Sequence, residues 1–173
     1  MAWEKQEFFD SQQQPAFRTS RRREYERWKQ IVCEVFAGYT VAEKIFEDLW
    51  LHFGKPSSWR PVAQGCQLLE AAREAGLKVA VASNFDERLL PLAQCVEPLI
   101  GIENIFASSE IGWRKPAVEF FRTVESRLGK DPRQLLLIGD DPRLDIAAAQ
   151  TAGWKSIRTV SYTHLTLPTI YSV

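Results

Sequence analysis

The chain has 173 residues, of which 45% are hydrophobic and 25% charged, and its 22 basic side chains balance 22 acidic ones. This composition excludes wholesale disorder, and the charge balance gives no global attraction to nucleic acid or anionic lipid. No run approaches the ~18 apolar residues that a membrane span needs. Three widely spaced cysteines form neither a disulfide framework nor a zinc ligand set, so we expect a reducing, cytoplasmic location.

Two amphipathic helices are predicted in the first third of the chain. Ser20 is a suitable N-cap for a helix over 21–36, and Thr40 is a suitable N-cap for a second helix over 41–53. Their apolar residues recur at three- and four-residue spacing, so we expect an antiparallel helical hairpin. In the first helix, the apolar positions that define the predicted buried face are Tyr25, Trp28, Ile31, Val32, Val35 and Phe36.

Strands and helices alternate after Pro56. The apolar runs at 78–82 and 135–138 predict buried strands, and the second has the continuous apolar pattern of a strand covered on both faces. Alternation of this kind predicts a doubly wound, parallel α/β sheet, in which ligands bind beyond the carboxyl ends of the strands. Further strands are predicted at 105–109 and 155–157, and further helices at 62–75, 86–95, 117–128 and 144–152.

Polar residues near two of these strand ends are candidates for binding an anion. Ser83 and Asn84 follow the first strand, where Ser83 could donate to an anionic oxygen beside the helix start, although either residue could simply cap that helix. Lys115 precedes Pro116, which suits the first turn of a helix. Its ammonium could approach a phosphate, or it could be a solvated loop lysine, and Arg114 beside it is expected at the surface.

Three aspartates follow the strand at 135–138. Asp140 and Asp141 come after one glycine, and Asp145 lies on the next helical turn. Clustered carboxylates are costly unless a cation offsets them, and Mg²⁺ binds one or two carboxylates together with phosphate and water. The alternative is that Asp141 caps the helix and Asp145 is exposed. We prefer the metal site because capping does not explain Asp140.

Three motifs occur in a fixed order on successive α/β units, namely Ser83-Asn84, Lys115-Pro116, and Gly139-Asp140-Asp141 with Asp145. This arrangement resembles the haloacid dehalogenase (HAD) superfamily, in the subfamily that has a helical cap. Residues 85–89 and 106–112 are similar to the haloacid dehalogenase-like hydrolase domain-containing 3 group. The resemblance implies a partial helical cap over 1–57 and a Rossmann-like HAD core over 58–159.

The resemblance also implies a chemistry. The acidic pair favours a Mg²⁺-dependent phosphatase that acts on a small phosphomonoester through an aspartyl-phosphate, because the dehalogenases of this superfamily need no metal. Ser83 would bond the phosphoryl group with Asn84 beside it, and Lys115 would neutralise charge there. The partner is then a small phosphorylated substrate, and neither nucleic acid nor membrane. The implied Mg²⁺ site is Asp140, supported or shared by Asp141 and Asp145.

The family's first motif, Asp-x-Asp-x-Thr, supplies the nucleophile and is absent from this sequence. We therefore expect an amino-terminally truncated chain that is inactive alone and whose sheet lacks its first strand. Such a sheet predicts instability, aggregation, or direct pairing of the two flanking strands. The alternative function is a noncatalytic interaction protein on the same scaffold.

We expect two further segments to have no role in the site. Residues 160–173 do not continue the family pattern, so we expect a non-native tail and exclude His164 from the candidates. Six basic residues lie within 18–29, which would suit nucleic-acid binding, but Glu24 and Glu26 interrupt them. We expect a solvated helix face there instead.

Overall fold

The computed structural model of the protein describes residues 1–159, so the predicted tail with His164 lies outside the described residues. Helices and strands alternate through most of the chain. The α-helices are α1 (Ala2–Gln12), α2 (Arg21–Val35), α3 (Ala42–Phe53), α4 (Ala63–Glu74), α5 (Leu89–Ala93), α6 (Ser108–Ile111), α7 (Val118–Leu128) and α8 (Ala148–Thr151). A π-helix spans Pro142–Ala147, and the strands are β1 (Ala80–Ser83), β2 (Asn104–Ala107), β3 (Leu136–Gly139) and β4 (Lys155–Arg158).

Helices α2 and α3 form the predicted hairpin. The hydroxyl of Ser20 accepts a hydrogen bond from the backbone N–H of Arg23, which is the N-cap that the sequence predicts. The ring of Tyr25 packs edge-on against Phe46 and Trp50, with centroids 4.9 Å apart in both pairs. Helix α3 begins one residue later than predicted, with Val41 rather than Thr40 at its N-cap.

The strands form two parallel pairs, which confirms the α/β class. β1 pairs with β2 from Ala80 to Ser83, and β3 pairs with β4 from Leu136 to Gly139. The two pairs are separate sheets within residues 1–159, so β1 and β3 do not pair directly. Double coverage of β3 was a wrong expectation, because Leu136 is 47% exposed. A strand in a two-stranded sheet has one free edge, which leaves its side chains less covered.

The apolar core lies between α7 and the β3–β4 pair. Phe120, Phe121 and Val124 are buried at helical spacing on one face of α7 and belong to the same apolar cluster as Leu137. Trp154 closes the cluster, packing edge-on against Phe121 at 5.3 Å. No helix among the described residues is long and apolar enough to cross a membrane.

Helix α2 turns charged side chains inward. Its buried residues are Glu24, Arg27 and Ile31, at three- and four-residue spacing. The predicted apolar face is wrong at Tyr25 and Val35, which are 38% and 62% exposed. The burial of Arg27 also corrects the expectation of a fully solvated basic face, because α1 packs against this side of α2 and covers it.

A buried ion-pair network joins α1, α2 and the segment before α7. Arg114, which the sequence predicts at the surface, is the largest fully buried side chain described. Its Nη1 donates to the Glu24 carboxylate at 2.6 and 2.7 Å, and its Nη2 donates to Glu7 at 3.2 Å. Arg27 donates to the same Glu7 at 2.7 Å and to Asp10 at 2.8 Å. We call these five residues the buried charge network.

Opposite charges within this network offset the free-energy cost of burying it. Burial opposes the charge on Arg114, but the carboxylates of Glu24, Glu7 and Asp10 together raise the pKa of Arg114 above its usual value. Burial, followed by the neighbouring charge of Arg114, lowers the pKa of Arg27. Removal of one member would therefore leave another charge buried without compensation.

We expect the Glu24→Gln substitution to lower the free energy of unfolding by about 3 kcal/mol or more, because it leaves the Arg114 guanidinium buried without its main counter-ion. Urea denaturation followed by circular dichroism measures this loss. The matched control is Glu26→Gln on the same helix, whose carboxylate pairs with exposed Arg22. That variant should change stability far less, because exposed pairs are screened by water and salt. Equal losses in the two variants would contradict this account of the network.

Candidate active site

The carboxyl ends of β1 and β3 meet at one lysine. The ammonium of Lys115 donates to the carbonyl oxygen of Ala82 in β1 at 3.3 Å and to Oδ1 of Asp145, just beyond β3, at 2.5 Å. Both side chains of this ion pair are about nine-tenths buried. Lys115 is therefore not a solvated loop lysine, and it links the two strand pairs at the edge where parallel sheets bind ligands.

Asn84 holds the backbone of this lysine in place. Its side-chain Nδ2 donates to the carbonyl oxygen of Lys115 at 2.9 Å, and its Oδ1 accepts from the N–H of Lys115 at 2.7 Å. This paired contact spans 31 residues of sequence and is not a local helix cap. Ser83 is the last residue of β1 and lies half-buried beside Asn84. The first two predicted motifs are therefore brought together.

Asp145 is buried, and both of its carboxylate oxygens have hydrogen-bond partners. Oδ1 bonds Lys115, while Oδ2 accepts from the backbone N–H of Asp141 at 3.2 Å. The carboxylate lies against Gly139, where an added Cβ would stand 2.5 Å from Cγ and 2.7 Å from Cβ of Asp145. A side chain at Gly139 is thus incompatible with this position of Asp145. The alternative in which Asp145 is exposed is wrong.

Asp141 has the capping role that the sequence analysis offered as an alternative. Its Oδ1 accepts from the backbone N–H groups of Arg143 and Leu144 at 2.8 and 2.7 Å, at the start of the π-helix. Asp140 is exposed, and its backbone carbonyl accepts a weak bond from Arg158 at 3.4 Å. The two neighbouring aspartates therefore differ: one carboxylate is partly engaged and the other faces solvent.

The donor chemistry of this strand end suits Mg²⁺, which binds oxygen and accepts as few as one or two carboxylates. The Asp140 carboxylate and the second oxygen of Asp141 are the donors that fit. Asp145 is engaged by Lys115 as the side chains stand, so its role as a metal ligand stays a prediction. Within residues 1–159, no three His, Cys, Asp or Glu side chains gather into a preformed metal cluster.

The buried charge network lies beside the segment that carries Lys115, and the sequence did not predict it. Backbone bonds from Thr19 to Gly112 and from Arg114 to Phe17, both 2.9 Å, tie the segment before α2 to the segment that carries Lys115. A signal was present in the sequence, because Glu24 and Arg27 fall on one helical face with Ile31. The position of Arg114 next to Lys115 gave no comparable signal.

Comparison with known proteins gives a family. A model of the HAD-hydrolase-like family matches residues 112–161, a range that contains Lys115 and the three aspartates. Haloacid dehalogenase-like hydrolase domain-containing protein 3 of Bos taurus is 31% identical over 134 residues, which cover 75% of this chain and 53% of that protein. The chain thus spans about half the length of the curated relatives that it matches.

Solved structures share the fold. A HAD phosphatase from Thermococcus onnurineus aligns with a TM-score of 0.61 and 16% identity, over 80% of this chain and 71% of that one. The putative HAD-hydrolase YfnB of Bacillus subtilis, solved bound to magnesium, aligns with a TM-score of 0.62 and 19% identity, over 91% of this chain and 67% of that one. The family match over residues 112–161 and the similarity to these relatives support membership of the HAD superfamily, and the solved structures share its fold.

Proposed function

We propose that this site binds the phosphoryl group of a small phosphomonoester together with Mg²⁺, as part of a cytoplasmic phosphatase. The observation that carries the proposal is the buried contact between Lys115 and Asp145 at the ends of two strand pairs. Ala82 and Asp145 use two of the three N–H donors of this ammonium, which leaves one for an anion, and Asn84 fixes the backbone of the lysine. The similarity to HAD-like hydrolases supports a hydrolase, and the phosphoryl substrate is our proposal.

Each side chain has a role that follows from its position. The Lys115 ammonium neutralises charge on the phosphoryl oxygens, while Asp145 keeps that ammonium oriented. The Ser83 hydroxyl donates to a phosphoryl oxygen from the adjacent strand end. Asn84 acts through the backbone of Lys115 and is a positioning residue. Positioning and electrostatic stabilisation of this kind account for most of the catalysis in phosphoryl transfer.

Asp140 and Asp141 would hold Mg²⁺, since their carboxylates supply the available oxygen donors at this strand end. When bound, Mg²⁺ supplies positive charge that stabilises phosphoryl oxygens. The sequence contains no Asp-x-Asp-x-Thr motif to provide a nucleophile. We therefore propose that this chain alone binds phosphate without turning a substrate over.

A noncatalytic interaction protein is the second candidate function, and the absent nucleophile motif is the observation that favours it. The two candidates differ in what the site must do. A phosphatase site retains affinity for phosphate with Mg²⁺, whereas a scaffold used for protein contacts has no need of that affinity. Phosphate binding by this chain therefore discriminates between them.

We expect the chain to bind inorganic phosphate in the presence of Mg²⁺, and the Lys115→Met substitution to weaken that binding about 10-fold or more, because a charge-assisted hydrogen bond is lost. Isothermal titration calorimetry measures both dissociation constants. The matched control is Lys130→Met, which removes an exposed lysine outside the site and should leave the affinity unchanged.

A second variant is needed because Lys115→Met leaves Asp145 buried without its partner, which can prevent folding. Ser83→Ala removes one hydroxyl and leaves the ion pair intact, and we expect roughly 5-fold weaker phosphate binding. Phosphate affinity that is the same in wild type, Lys115→Met and Ser83→Ala would contradict the proposed function. An absence of phosphate binding by the folded wild-type chain would contradict it as well.

The Gly139→Ala substitution should displace the Asp145 carboxylate, because the new methyl group would overlap it. We expect an increased exchange rate of the Asp141 amide proton, whose acceptor is Asp145, together with weaker phosphate binding. Hydrogen-exchange NMR measures the first effect and calorimetry the second. Gly65→Ala is the matched control, since a Cβ there meets no atom within 4 Å. An unchanged Asp141 amide in Gly139→Ala would show that Asp145 is not held against this glycine.

A further inference from the structure

Three neighbouring aromatic side chains lie beyond the strand end next to Asn84. Phe85 is the next residue, and its ring centroid lies 5.7 Å from that of Trp59. The Trp59 ring in turn lies 6.0 Å from the ring of Phe53, at the end of α3. We call Phe53, Trp59 and Phe85 the aromatic ridge. Trp59 and Phe53 expose 38% and 43% of their surface, so the ridge is accessible to a ligand.

Hydrogen bonds hold the ridge in one arrangement. The indole Nε1 of Trp59 donates to the carbonyl oxygen of Phe53 at 3.0 Å. The carbonyl oxygen of Phe85 accepts from the Ser108 hydroxyl at 3.1 Å and from the Ser109 amide at 3.2 Å. A surface that is already ordered loses little conformational entropy when a ligand binds to it.

A charged side chain beside the ridge, Arg88, is paired with a carboxylate. The Arg88 guanidinium lies 3.4 Å from the ring centroid of Trp50 and 5.9 Å from that of Phe85. It pairs with the fully buried carboxylate of Asp86 at 2.6 and 2.7 Å. Arg88 therefore supports the aromatic side chains from within, and its N–H groups are used by Asp86 and by the carbonyl oxygen of Trp50.

We propose that the aromatic ridge binds a flat aromatic leaving group of the phosphomonoester, a substrate class that rests on the proposed function. The ridge begins at Phe85, one residue after Asn84, whose side chain holds the backbone of Lys115, so the ridge and the proposed phosphoryl site are adjacent in the chain. The single polar hydrogen of its rings is used within the ridge. The rings therefore offer no free donor to a sugar hydroxyl, whereas an aromatic ring would stack on them.

The test compares two ligands that share a phosphoryl group, phenyl phosphate and ethyl phosphate, by calorimetry with Mg²⁺. We expect phenyl phosphate to bind the wild-type chain about 10-fold more tightly. Trp59→Leu should abolish that preference while leaving the affinity for ethyl phosphate unchanged. The control is Tyr39→Ala, which removes an exposed aromatic ring elsewhere on the helical hairpin and should preserve the preference.

The outcomes separate this proposal from the proposed function. Equal binding of the two esters, with both dependent on Lys115, would overturn the ridge proposal and leave the phosphoryl site standing. A phenyl preference that survives in both Trp59→Leu and Phe85→Leu would also overturn it, since the ring would then bind elsewhere. Failure of both esters to bind, or binding that ignores Lys115→Met, would overturn the proposed function itself.

Discussion

The arrangement of the site depends on the contacts that the ammonium group of Lys115 makes. The two strand pairs share no backbone ladder within residues 1–159. Lys115 reaches both of them, through the carbonyl of Ala82 on one side and the carboxylate of Asp145 on the other. A charged group so deeply buried is stable because its counter-ion and hydrogen bonds are in place. The proposed phosphoryl site lies at this ammonium, where the strands end.

The buried charge network holds the segment that carries Lys115. Arg114 is adjacent to Lys115 in the chain, and Glu24 anchors its guanidinium from α2. The backbone bonds between 17–19 and 112–114 add a second connection. The helical hairpin and the site segment are therefore joined by buried ion pairs, and movement of α2 would disturb the loop that carries Lys115.

The sequence predicted the residues that the topology brings together. It did not predict the residues that tertiary contacts bury. Ser83, Asn84 and Lys115 were predictable because parallel strands place their carboxyl ends at one edge. Arg114 was not, since an arginine beside a lysine is exposed in most proteins and its partner Glu24 is 90 residues away. The exposure of Leu136 was equally unpredictable, because an apolar run does not reveal how many strands surround it.

In the proposed function, Asp140, Asp141, Ser83 and Lys115 surround one site for a divalent cation and a phosphoryl group. Paramagnetic relaxation by Mn²⁺, which replaces Mg²⁺ at oxygen sites, tests it most directly in a ¹⁵N-labelled chain with inorganic phosphate. The account predicts that the amide signals of these four residues broaden first, before those of the exposed acidic residues Glu97 and Glu103. Broadening that centres on Glu97 and Glu103 and spares Ser83 and Lys115 would contradict it.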